Sequence, residues 1–189
     1  RGPMKMGVIK QFLKDIEWGD LDYLIVDSPP GTGDEVLSAC QLIEGLDGAV
    51  VVTTPQKVAA IDVRKSITFC HQLKVPVLGV VENMSGFACP KCGEITSILC
   101  SGGGRKIADD MNVPFLGSIP MDPQIAEACD SGLAFVHHYA SSPTAAIMRD
   151  IITAITVNDT DAAIKKTASE EPRKDKAMLR IAIPLADGN

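Results

Sequence analysis

Two groups of residues in this chain have the types and spacing to do chemistry. The first is Asp27, which ends the apolar run Tyr23-Leu24-Ile25-Val26 and leads straight into Ser28-Pro29-Pro30-Gly31-Thr32-Gly33-Asp34. A short apolar run of this kind suits a buried parallel strand, which puts Asp27 at the strand's carboxyl end, where open α/β sheets bind ligands. A carboxylate there holds Mg²⁺ through water, and the Pro/Gly turn after it has the make-up of a γ-phosphate sensor. Strand and carboxylate alone also describe an ordinary buried strand followed by a solvated turn; the whole Asp27 to Asp34 string is much more specific.

The second group is Cys89-Pro90-Lys91-Cys92-Gly93. Two residues between the thiols let both face one metal, and Lys91 favours the thiolate. Two sulfurs make half of a tetrahedral zinc or 4Fe-4S site, and an identical pair from a two-fold-related copy would complete it. Cys-Pro-x-Cys-Gly is also half of a zinc ribbon, with Cys100 near enough for a third ligand. A thioredoxin-like redox pair would open a helix, whereas residues 87–98 read as a small hairpin or knuckle. Cys40, Cys70 and Cys129 fall in apolar helical settings and are expected to pack as small hydrophobes.

Positioning these groups requires an alternation of strands and helices, and the chain has it. Helices are expected over Val8–Ile16, Glu35–Gly45, Ala59–Leu73, Arg105–Met111, Pro123–Ser131 and Thr144–Thr156. Strands are expected over Tyr23–Asp27, Ala49–Thr53, Val77–Val81 and Pro114–Ile119. Such alternation implies crossover units and a doubly wound, mostly parallel sheet. Residues 158–177 read as a charged linker, and Met178 to Asn189 as the opening strand of a further domain.

Composition narrows the class. With 46% hydrophobic and 22% charged residues, the chain has apolar surface for one core of about 150 residues. A net charge of -6 without a basic stripe argues against a nucleic-acid partner. Apolar runs are strand-length and interrupted, whereas a bilayer span takes about 20 helical residues, so no membrane association is expected and the reading is cytoplasmic.

Taken together, Arg1-Gly2-Pro3, the Asp27 to Asp34 string, Thr53-Thr54-Pro55-Gln56, Glu82-Asn83-Met84, Cys89-Pro90-Lys91-Cys92, Gly102-Gly103-Gly104 and Ile119-Pro120-Met121-Asp122-Pro123 resemble the Mrp/Nbp-type ATPases. These are MinD-like P-loop proteins that carry iron-sulfur clusters. The resemblance implies that Asp27 holds Mg²⁺, that Gly31 and Asp34 belong to the switch, and that Asp34 positions the attacking water. An N-cap role for Asp34 competes with that last assignment. It further implies that Asn83 reads the adenine edge and that Pro120 and Asp122 frame the base, with Asp122 equally suited to cap a helix. ATP, Mg²⁺ and a 4Fe-4S cluster held by Cys89 and Cys92 across a homodimer are the implied cofactors, with apo iron-sulfur proteins as recipients and slow ATP hydrolysis as the activity. The alternative is a MinD/ParA-like switch with a structural zinc knuckle.

Family members also carry a lysine-rich phosphate loop near their N-terminus. No Gly-x-x-x-x-Gly-Lys-Ser/Thr sequence occurs here, so the chain is read as beginning mid-domain and as binding ATP poorly by itself. Ser101-Gly102-Gly103-Gly104-Arg105-Lys106 has the wrong spacing and reads as a turn into a helix, whose N-terminus has the character of an anion site. The terminal strand is similar to the start of a NifX-type cofactor-binding domain.

Overall fold

The expected alternation is the observed one. A computed structural model of the chain describes residues 2–29, 31–43, 45–97, 101–166 and 178–184. Among these, α1 is Gly2–Asp15, β1 Tyr23–Asp27, α2 Asp34–Leu42, β2 Gly48–Thr53, α3 Lys57–Gln72 and β3 Val77–Ala88. There follow β4 Ile95–Thr96, α4 Gly103–Met111, β5 Phe115–Met121, α5 Pro123–Asp130, α6 Phe135–His138, α7 Pro143–Lys166 and β6 Met178–Pro184. β1, β6, β2, β3 and β5 form one parallel sheet in that order, and β4 lies antiparallel against the far end of β3. Parallel neighbours need crossover connections, and α3 supplies the one from β2 to β3.

Alternation within the strands decides which face each helix covers. Ala49, Val51 and Thr53 of β2 are buried. Around Ala49, Val36 and Ala39 of α2 meet Cys70 of α3 and Val75. Around Val51 and Val80, Val63 and Ile67 of α3 meet Ile107 and Ala108 of α4. One face of the sheet therefore carries α2, α3 and α4. Val81 points the opposite way from Val80 and pairs with Gly117, where a Cβ would lie only 2.9 Å from Ile151 Cγ1 of α7. The other face carries α7.

Three departures from the sequence reading have physical causes. β3 continues past Val81 to Ala88 because it keeps β5 as a partner as far as Phe87 and gains β4 on its other edge. Met84 (φ 57°) and Gly86 (φ 97°) bend it, its pairing with β5 shifts register between Asn83 and Phe87, and Phe87 and Ala88 then pair with Thr96 and Ile95. α7 runs on to Lys166, through part of the stretch read as linker. Ala162-Ala163-Ile164-Lys165-Lys166 favours helix, and no Gly or Pro intervenes between Pro143 and Pro172. Met178–Pro184, read as opening a further domain, here lies between β1 and β2 and pairs with both. Residues 167–177, Cys100 and Pro30 lie outside the described residues. No helix among the described residues is long and apolar enough to cross a membrane.

The start of α4 approaches the backbone of a neighbouring segment closely. A Cβ on Gly103 would stand 2.6 Å from the Pro55 carbonyl oxygen, whereas one on Gly7 of α1 meets nothing within 4 Å. Gly103→Ala should therefore destabilise the fold by about 1–3 kcal/mol despite alanine's better helix propensity, while Gly7→Ala should leave it unchanged or stabilise it by up to about 1 kcal/mol. Urea midpoints of the two variants check the opposite signs.

Candidate functional site

The parallel strands present their carboxyl ends along one edge, and the residues singled out from the sequence cluster there. Asp27 ends β1 and is exposed, followed by the buried Ser28. Gly31 turns the chain with φ +93°, a conformation that favours glycine. Gly33, not Asp34, is the N-cap residue of α2; Asp34 is the first helical residue and, with Glu35, puts acidic side chains in the first turn, where the helix dipole favours them. Lys5 of α1 forms an ion pair with Glu35. That hydrogen bond raises the lysine pKa and lowers that of the glutamate, so α1 buttresses the helix that follows the Gly31 turn.

Across β6 and β2 from Asp27 lie the residues expected at the base. Asn83 of β3 pairs in register with Ile119 of β5, which places it beside the buried Pro120. Its Oδ1 accepts the Met84 backbone N–H at 3.0 Å. Asp122 caps α5, accepting from Gln124 N at 3.0 Å through Oδ1 and from the Thr144 hydroxyl at 2.7 Å through Oδ2. Both its oxygens are thus engaged in fixing the loop after Pro120 against the start of α7.

Glu82, to which the sequence reading gives no role, is 0% exposed. Its Oε2 accepts Gly104 N–H at 2.6 Å, and its Oε1 accepts the Gly102 N–H at 3.2 Å and the Ser85 hydroxyl at 2.5 Å. The α4 N-terminus expected to attract an anion therefore already holds one, supplied by β3. The signal is present in the sequence: a carboxylate directly after Val77-Leu78-Gly79-Val80-Val81, where a charge is buried only when strong donors meet it.

Beyond the bend of β3, Cys89 and Cys92 flank a tight turn. Cys89 N–H donates to Glu94 O at 2.9 Å and Gly93 N–H to Cys89 O at 2.8 Å. Cys89 is half-buried and Cys92 exposed. Hydrogen bonding from the Lys91 backbone, then from the backbone and thiol of Cys92, holds the Cys89 pKa below its ordinary value, with the Glu94 charge opposing. A cleft of about 250 Å³ separates Cys89, Pro90 and Gly93 from Asp122, Tyr139 and Thr144, so the thiol turn sits directly against the loop that follows β5. No cluster of three or more His, Cys, Asp or Glu side chains able to hold a metal occurs among the described residues.

The remaining described cysteines differ from this pair and from each other. Cys70 is buried in the core and Cys40 half-buried beside it, as expected, but Cys129 is exposed on α5. Burial pushes the Cys70 thiol up to about 11. Mass mapping of alkylation near neutral pH should find Cys89 modified well before Cys70. As pH rises from the ordinary thiol value of 9.0 towards about 11, the unfolded chain loses this proton first, so stability falls; comparison with Cys70→Ala should show that part of the slope removed.

Comparison with known proteins places this geometry. Residues 1–156 match the family described as ParA, NUBPL iron-transfer P-loop NTPase. A nucleotide-binding protein from Archaeoglobus fulgidus, solved with ADP and with cobalt found in it, is 42% identical at a TM-score of 0.60, covering 68% of this chain and 53% of that one. The septum site-determining protein MinD of Pyrococcus horikoshii, solved with Mg-ADP, is 26% identical at 0.57, covering 86% and 59% respectively. The cell division ATPase MinD of Pyrococcus furiosus shares the fold at 24% identity and a TM-score of 0.57, covering 82% and 58%. The chain thus spans little more than half the length of these structures. With residues 1–156 of 189 matched, the chain belongs to the NUBPL iron-transfer P-loop NTPases of the ParA group.

Proposed function

We propose that this chain is part of an ATP-dependent iron-sulfur cluster carrier, in which a dimer holds a 4Fe-4S cluster as cargo between two Cys89–Cys92 turns and passes it to apo-proteins. The observation that carries the reading is the thiol turn, with Cys92 exposed, that directly follows β3, the strand that bears Asn83, in a chain of the iron-transfer family. One turn supplies two thiolates; a 4Fe-4S cluster takes four. A second copy of the turn, brought up by two-fold symmetry, completes the set. Cys89 is already biased towards the ligating thiolate form, and Cys92 is accessible to an incoming cluster.

In this reading nucleotide chemistry serves gating. Asp27 at the end of β1 holds Mg²⁺ through water, Gly31 and Asp34 move with the γ-phosphate, and Asp34 aligns the attacking water. Asn83 reads the adenine edge through its amide, and Pro120 and the Asp122 loop frame the base. ATP moves the cluster site only to the extent that it binds the two dimer states unequally, so slow hydrolysis suffices. The protein works in the cytoplasm, without nucleic acid or membrane as partner. A second reading, a ParA-like switch with structural zinc, is favoured by the Cys-Pro-x-Cys-Gly turn itself.

Anaerobic reconstitution with iron and sulfide separates the two. The expected result is iron and acid-labile sulfide in a dimer, both lost in the Cys89→Ser, Cys92→Ser double variant, with the cluster passing to an apo-ferredoxin. Tightly held zinc without sulfide would instead establish the switch protein.

A further inference from the structure

Glu82 has no part in the chemistry just described, although it is a fully buried carboxylate on the strand that leads to the thiol turn. On its own strand it precedes Asn83. Its Oε1 takes the Ser85 hydroxyl at 2.5 Å, closing a short loop across Met84, whose φ of 57° lies in the bulge where the pairing of β3 with β5 shifts register. Its two oxygens also hold the amides of Gly102 and Gly104, at 3.2 and 2.6 Å. The packing leaves no slack, for a Cβ on Gly104 would lie 3.0 Å from Glu82 Cβ and 3.0 Å from Thr53 Cγ2. One side chain thus ties the parallel half of β3, its bend and the glycine turn of α4 into a single hydrogen-bonded knot.

We propose that Glu82 is the positioning residue for the thiol pair: through Ser85 it sets the angle at which the Cys89–Cys92 hairpin leaves the sheet, and through Gly102 and Gly104 it couples that angle to the glycine turn. Residues 84–86 bulge between the Asn83–Ile119 and Phe87–Met121 pairs with β5, and Phe87 and Ala88 carry the hairpin through Thr96 and Ile95, so among the described residues its direction is set by that bulge together with the Phe87–Met121 pair. Backbone dihedrals at a positive-φ methionine are held by surrounding structure rather than by intrinsic preference, and the Ser85–Glu82 hydrogen bond spans that residue. Charge-assisted bonds of this kind are roughly twice as strong as neutral ones, which suits a fixed pivot. The inference deepens the carrier reading, since it names what orients the proposed ligands, yet its first readout involves no metal.

The test uses the full chain with Ser85→Ala, Ser85→Thr and Glu82→Gln, followed by hydrogen exchange and by cobalt(II) as probe. Ser85→Ala should raise exchange at the Cys89 and Gly93 amides about tenfold while leaving Gly104 protected, and Ser85→Thr, which keeps the hydroxyl, should restore protection. Glu82→Gln should loosen both sites together. Where the wild-type chain binds cobalt(II), the thiolate charge-transfer bands should shift in Ser85→Ala and return in Ser85→Thr. Folded Ser85→Ala with unchanged exchange at Cys89 and Gly93 would overturn the proposal and leave Glu82 as a helix cap only. That result is decisive even if Glu82→Gln fails to fold, and a chain that takes up neither iron nor cobalt would sink the carrier reading without touching it.

Discussion

A carboxylate with no exposure to water survives inside a protein only if other donors replace the water it lost, and at Glu82 that requirement shapes the whole carboxyl edge of the sheet. Leaving such a charge unpaired costs several kcal/mol. The donors here are the hydroxyls of Ser85 and, at 3.5 Å, Ser118, and two amides at the start of a helix, which carry the favourable end of the helix dipole as well. To deliver those amides α4 must begin in contact with the ends of β2 and β3. Only glycine fits at that contact, at Gly103 against Pro55 and at Gly104 against Thr53 and Glu82. The glycine run is therefore explained by internal anion recognition rather than by a bound phosphate.

The second organising feature is the double character of β3. Its first half is a buried member of a parallel sheet and its last two residues are one arm of a small antiparallel hairpin. Asn83 therefore lies before the bend at Met84 and Gly86, and Cys89 directly follows the last residue of the same strand. Asp122 works from the other side: by capping α5 and accepting from Thr144, it holds the loop after β5 against the start of α7, next to the cleft that borders Cys89.

Much of this was legible in the sequence because it rests on local pattern. The Tyr23–Asp27 strand has the observed bounds, and α3, β2, β5 and α5 begin and end within two residues of their apolar periodicity. The thiol hairpin was marked by its Gly and Pro residues. What escaped depends on pairing over distance. The extension of β3 to Ala88 required continued pairing with β5 across a bulge and a further partner in β4, which no single segment reveals. Asp34 was a fair N-cap on residue type, yet the helix starts on it and Gly33 takes the cap. The burial of Glu82 was foreshadowed only by its place after an apolar run, and its partners lie some twenty residues further on. Cys129 sits in an apolar stretch but faces outward, because the short helix α5 buries only Ala128.

The place of β6 bears on how the molecule is made. Among the described residues β1 is joined to the sheet through β6 alone, so in this arrangement the strand that carries Asp27 is seated only after Met178–Pro184 has been synthesised. Closing so long a loop adds little to the free energy, because the cost grows with the logarithm of length, but it delays the event. The thiol hairpin, by contrast, is closed by residues fewer than ten apart. On the ribosome the cysteine turn is complete before Met178–Pro184 reaches β1, so the thiol hairpin forms ahead of the seating of the strand that carries Asp27.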